Sequence, residues 1–226
     1  MSDGLDSLPA PQVAFVSYRR GREPELGLTR RTDEIGGQAL LAGLEGFPPR
    51  GGTVLQLGCR TGMWLHVLGE HAHLVTAVDP SPGDLKVAAW RIRNKPVRDR
   101  VRLVASDIFD FEPDQFYDVV FFAAVLSYVP PRRFERFWNL VARCLKPGGR
   151  AFFIDELAPG HGEELPEALI PAMQQFLKTD ERYRAIKVFY EPDELESRLA
   201  HLGWSVEIEQ ETPRLFYAAA TRAAAA

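Results

Sequence analysis

Three features of this 226-residue chain predict an α/β fold built on a doubly wound, mostly parallel sheet. Short, continuously apolar runs alternate with helical patterns from Thr53 to Ile154, as in sheets whose two faces are both covered by helices. The first run, Val54 to Leu57, ends in Gly58 and Gly62 and feeds a helix at once, and the next, Leu74 to Val78, ends in Asp79. A last pair, Trp204 to Glu209 and Leu215 to Thr221, is joined by a turn at Pro213 too short for a crossover, so these two strands run antiparallel to each other.

Residues 1–16 carry two prolines and two aspartates and read as a loose lead-in. Residues 17–31 hold Arg19, Arg20, Arg22, Arg30 and Arg31 against Glu23 and Glu25, which reads either as a solvated arm or as one that folds over a ligand carboxylate. A helix over 33–46 follows, capped by Asp33, striped by Ile35, Leu40, Leu41 and Leu44, and stopped by Gly46. Thr53 to Leu57 is the first core strand, Met63 to Glu70 a helix and Leu74 to Val78 the second strand. Pro82, at a first helical position, opens a helix over Gly83 to Asn94. Val101 to Ala105 and Tyr117 to Phe122 are the third and fourth strands. Pro131 to Leu145 is helical, with Phe134, Phe137, Trp138, Val141 and Leu145 on one side, and Lys146-Pro147-Gly148-Gly149 breaks it. Ala151 to Ile154 is the fifth strand, and Pro192 to Leu202 the last helix. The regular alternation lapses over 157–190, where an apolar set (Leu165, Leu169, Ile170, Met173, Phe176, Leu177) fits a helix that caps the site or packs on the core. The expected organisation is therefore an arm and helix over 1–47, then a main domain over 48–226 with a small cap at about 157–190.

Composition narrows the function. A net charge of −4 disfavours wholesale nucleic-acid or membrane binding. Cys59 and Cys144, far apart, suit a reducing cytoplasm and offer no metal-ligand spacing. No basic-then-apolar leader opens the sequence, and no apolar run approaches the ~18 residues of a membrane span. The spacing Gly58-x-x-x-Gly62 is not the G-x-G-x-x-G of dinucleotide sites, and no phosphate-cradling G-x-x-x-x-G-K-[ST] is present. What remains is a pocket for an adenosine-type ligand: glycines that admit a ligand to the backbone, and Asp79 to accept hydrogen bonds from two ribose hydroxyls. A third carboxylate, Asp107, follows the third strand, where a purine amine can donate to it.

VLQLGCRTGMW, VTAVDPSPGDL, VRLVASDIFDF, YDVVFFAAVLSYVPP, LKPGGRAFFID and VFYEPDELESRLAHLGWSVEIE together resemble the class I S-adenosylmethionine-dependent methyltransferases, and the last three a bacterial small-molecule subgroup. The resemblance spans residues 50–221 and implies a Rossmann-like, seven-stranded sheet with an antiparallel C-terminal strand. It implies S-adenosylmethionine as cofactor, with the methionine part cradled by the turn of Gln56, Gly58, Cys59 and Gly62. By the same resemblance Asp79 binds the ribose, Pro80 packs on the adenine and Asp107 with Ile108 frames it, while Ala123 to Tyr128 face both methionine and acceptor. Tyr18 is placed as a residue that closes over the methionine end.

Two positions depart from the family pattern: Gln56 replaces an acidic residue and Arg60 a glycine. These substitutions motivate an alternative, a cofactor-binding protein without transferase activity. Methyl transfer needs alignment more than acid–base help, so Tyr128 is the catalytic candidate, orienting a polar acceptor or walling the site. His161, Asp155 and Glu156 are secondary candidates near the same edge, whereas His66, His71 and His201 read as surface or structural. The expected acceptor is an oxygen or nitrogen atom of a small molecule. No nucleic acid, membrane or metal partner is expected, a homodimer is left open, and the expected location is cytoplasmic.

Overall fold

The computed structural model describes residues 11–19, 51–158, 182–212 and 215–222. The arginine-rich arm beyond Arg19, the helix expected over 33–46, the capping helix and His161 lie outside these residues. The main sheet contains seven strands. They are β2 (Thr53–Leu57), β3 (Leu74–Asp79), β4 (Val101–Ala105), β5 (Tyr117–Ala123), β6 (Leu145–Glu156), β8 (Trp204–Thr212) and β9 (Leu215–Arg222). Their spatial order is β4-β3-β2-β5-β6-β9-β8. The first five are parallel, and β9 is inserted antiparallel between β6 and β8.

Alternation along the strands builds two cores. Val54, Val75, Ala77, Val119, Phe121 and Phe152 meet the helices α1 (Leu65–His71) and α2 (Pro82–Ile92) on one face. Leu55, Leu57, Val120, Phe122 and Phe153 meet α3 (Phe134–Cys144) and α4 (Pro192–His201) on the other. Trp138, fully buried, stacks edge-on against Phe153 and Trp204. Both faces are covered, as the apolar runs required.

Most element bounds agree with the sequence reading, and three differences are informative. α1 starts at Leu65, because Cys59 to Trp64 are spent on the turn that closes with Gly62 N–H donating to Cys59 O at 2.9 Å. The expected break at Lys146–Gly149 is instead part of β6, whose pairing with β5 shifts register between Tyr117 and Val119. That bulge is held by Asp118, which accepts from Lys146 Nζ at 2.8 Å and from the Thr53 backbone N–H at 2.7 Å. A Cβ on Gly149 would stand 3.0 to 3.1 Å from three carbonyl oxygens, so any larger residue there would have to push the backbone of the bulge aside. Finally, the lead-in is ordered from Gln12: β1 (Gln12–Arg19) pairs antiparallel with β7 (Arg182–Phe189) in a separate two-stranded ribbon. Its partner lies some 170 positions away, so no local pattern announces it.

Candidate functional site

Parallel pairing brings the carboxyl ends of β2, β3, β5 and β6 to one edge, and with them Gly58, Asp79, Ala123 and Glu156. Ligands of open α/β sheets bind beyond this edge, where the strand order reverses. Here the reversal falls at β2, whose neighbours are β3 and β5.

The turn after β2 is built from left-handed backbone. Gly58, Arg60 and Gly62 have φ of 65°, 51° and 79°. A Cβ on Gly58 would lie 2.7 Å from Val125 Cγ2, and one on Gly62 would lie 2.7 Å from Ala88 Cβ and 3.0 Å from Ala88 Cα. Gly58 thus keeps this turn against the segment after β5, and Gly62 lets α1 approach α2. Cys59 N–H donates to Val78 O at 3.0 Å, tying the turn to β3. The Cys59 thiol is pushed up to about 12, mainly by burial and then by the charge of Asp79, which favours its protonated form at neutral pH.

Asp79 is buried at the end of β3. Its Oδ2 accepts the Arg60 N–H at 2.8 Å and its Oδ1 accepts the Ser81 N–H at 2.9 Å. Burial raises its pKa above the ordinary carboxylate value, against those two backbone hydrogen bonds. Each carboxylate oxygen keeps further lone-pair capacity, enough for a pair of ribose hydroxyls. Pro80 beside it is exposed. Asp107 is exposed, with Oδ1 accepting the Phe109 N–H at 2.8 Å, and Ile108 is half-buried against the core.

Gln56 is 1% exposed, and among the described residues its Oε1 has no hydrogen-bond partner. A buried, unpartnered amide oxygen is costly unless a ligand donor meets it. Gln56 shares a face of the sheet with Val54, Ala77 and Phe121, next to the glycine turn. An amino group of a bound amino acid fits that acceptor. The orphan oxygen, the left-handed glycine turn and the lone pairs of Asp79 therefore suit an adenosine joined to an amino acid. Arg60 contributes a backbone N–H to the turn, its guanidinium Nη2 is withdrawn from water, and its charge lies close enough to Asp79 to favour the carboxylate.

Arg60 does so in a conformation that favours glycine by roughly 1–2 kcal/mol over other residues. Arg60→Gly keeps the N–H and removes that cost, so the variant is expected to melt about 2 °C higher in scanning calorimetry.

At the neighbouring strand ends, Ala123 is half-buried and Ala124 also has a positive φ, of 51°. The 3-10 turn Leu126–Tyr128 follows. Its Ser127 N–H donates to Asp155 Oδ2 at 3.0 Å, and Asp155 Oδ1 accepts the Glu156 N–H at 2.9 Å. Asp155 is fully buried, and burial raises its pKa despite the nearby Lys187 charge and these hydrogen bonds. Glu156 forms a buried ion pair with Lys187 of β7, and Lys187 Nζ lies 4.9 Å from the centroid of the Tyr128 ring. Lys187 was not legible as a site residue: nothing within the run Ile186-Lys187-Val188-Phe189 signals its partner Glu156 on another strand. Tyr18 stands opposite Tyr183 in the β1–β7 register, four positions from Ala14, the register partner of Lys187. Among the described residues no cluster of metal-ligating side chains is present, and no helix is long and apolar enough to cross a membrane.

Residues 54–149 match a family model described as a methyltransferase domain. In solved structures, the DhpI-SAM-HEP complex is 33% identical, with 88% of this chain and 96% of that chain covered and a TM-score of 0.65. The cypemycin N-terminal methyltransferase of a Streptomyces species is 34% identical over 119 residues, 51% of this chain and 47% of that protein. The ubiquinone biosynthesis O-methyltransferase of Coxiella burnetii is 30% identical over 105 residues, 46% of this chain and 43% of that protein. The chain spans less than half the length of these curated relatives. Near-complete coverage at one third identity by a structure holding SAM, together with the fitted cradle, identifies both enzyme and cofactor. The chain belongs to the class I S-adenosylmethionine-dependent methyltransferases.

Proposed function

We propose that this methyltransferase moves the methyl group to an oxygen or nitrogen atom of a small molecule. The observation that carries the proposal is the contact between cofactor turn and acceptor edge: Gly58 packs against Val125, three residues before Tyr128. The cofactor supplies a sulfonium-activated methyl group, so the protein's task is alignment and exclusion of water. In this reading the Gly58–Cys59–Gly62 turn receives the methionine part, Gln56 Oε1 accepts its ammonium N–H, and Asp79 holds the ribose hydroxyls. Pro80, Asp107 and Ile108 border the adenine. Ala123 borders the methionine end, Tyr18 closes over it from β1, and Tyr128 orients the acceptor.

Residues 48–226 act as the catalytic unit, with the 157–190 segment as a cap over the acceptor and 1–47 as an arm. The names of the relatives support a small or peptide acceptor, since one acts at a peptide N-terminus and one on oxygen in ubiquinone biosynthesis. The acidic balance supports a cytoplasmic enzyme that engages neither nucleic acid nor membrane. A homodimer is the assembly to test by light scattering. The binding-only alternative is not favoured, because the family model and the relatives that support the reading are methyltransferases.

Calorimetry with S-adenosylmethionine and S-adenosylhomocysteine, followed by release of the latter across a panel of small hydroxyl and amine compounds, tests the reading. Binding of both and turnover of at least one compound are expected. Failure to bind either ligand overturns it, and binding without turnover across the panel returns the binding-only alternative.

A further inference from the structure

We propose that Lys187 is a positioning residue for methyl transfer, fixing the Tyr128 ring and the end of β6 in the arrangement the acceptor requires. This deepens the reading above and rests on Tyr128 facing the acceptor.

Tyr128 is held from two independent directions. Its backbone turn is fixed by the Ser127 N–H on Asp155, and its ring lies 4.9 Å from the Lys187 ammonium. The ammonium is itself aimed by Glu156, the last residue of β6, to which it donates a hydrogen bond. Both partners are withdrawn from water, with side-chain exposures of 0% and 1%. Burying such a pair costs several kcal/mol, and a well-packed apolar pair serves stability as well or better. Stability alone gives no reason for this pair. Direction does: an ammonium attracted to a ring face and hydrogen-bonded to a carboxylate fixes a ring orientation that an apolar contact leaves free. The pair also joins separate parts of the fold. Lys187 lies on the β1–β7 ribbon, Glu156 on the main sheet and Tyr128 on the turn after β5. Among the described residues, Lys187 ties the ribbon to the acceptor edge, and its neighbours Val188 and Tyr190 lie in the core.

The test compares Lys187→Met, Lys187→Arg and the apolar pair Lys187→Met/Glu156→Leu with the wild type. Each carries 3-fluorotyrosine at position 128, and S-adenosylhomocysteine is the bound probe. In the wild type and Lys187→Arg, fluorine NMR is expected to give one narrow resonance displaced from that of the free amino acid. In Lys187→Met and in the apolar pair it is expected to move toward the free value. Affinity for S-adenosylhomocysteine is expected to change by no more than about twofold, because the cradle is untouched. With an acceptor found in the panel, kcat falls by about 100-fold, as for a reacting group displaced by roughly an ångström, and the KM for the cofactor holds. The apolar pair separates positioning from stability. If its melting temperature matches the wild type and its resonance and kcat do too, Lys187 only ties the fold together and the proposal is overturned. Failure of the wild type to bind S-adenosylhomocysteine would instead overturn the cofactor-site reading beneath it.

Discussion

Gly62→Ala is expected to lower the melting temperature by about 10 °C. Its φ of 79° puts any L side chain in left-handed backbone, at roughly 1–2 kcal/mol. The added methyl would stand 2.7 Å from Ala88 Cβ and Leu65 Cδ1, and 3.0 Å from Ala88 Cα. The last of these is backbone and cannot rotate away, so α1 and α2 must move apart, at about 1–3 kcal/mol. The sum is about 3 kcal/mol, and each kcal/mol shifts a domain of this size by roughly 2–4 °C. Scanning calorimetry checks it. A midpoint within 2 °C of the wild type would mean that this glycine is not what sets the helix separation.

Asp79→Ala is expected to weaken S-adenosylmethionine binding by about 100-fold. The substitution removes the acceptor proposed for the ribose hydroxyls and strands the Arg60 and Ser81 N–H groups that organise the turn. Two hydrogen bonds to a charged group are worth roughly 3 kcal/mol together, a factor of about 100. The pH dependence follows from burial, which raises the Asp79 pKa above 3.8. Acidification therefore protonates this carboxylate before an ordinary one, and cofactor affinity falls as pH drops through that raised value. Stability moves the other way. The native carboxyl holds its proton more tightly than the unfolded chain does, so the contribution of Asp79 to stability increases over the same window. Calorimetric titrations of wild type and Asp79→Asn across the acid range read the first effect, and a pH-independent ratio of their affinities would contradict it.

The proposed cofactor half of the site rests on chemistry that is written in short windows. A glycine turn needs Gly58 and Gly62 four residues apart, and a ribose acceptor needs an acid directly after an apolar run, as at Asp79. Strand bounds were legible wherever burial on both faces forces uninterrupted apolar residues, as in Val54–Leu57 and Val119–Phe122. The acceptor half was written across distance. β1 acquires its structure from β7, Lys187 becomes a core residue only because Glu156 arrives from another strand, and the Lys146–Gly149 bulge is held by Asp118 and Thr53. Local composition reads the first as lead-in and the last as a break, and gives Lys187 no role. The partner of each lies 28 to 177 positions away.

The strand order has a consequence for synthesis. β9, made last among the described strands, occupies an interior slot between β6 and β8. While the chain leaves the ribosome, β6 thus presents an unpaired, phenylalanine-bearing flank until Leu215–Arg222 has emerged. A nascent chain stalled before Leu215 carries that naked template for intermolecular pairing, and holdase chaperones should engage it there rather than at the already closed β2–β3 interior.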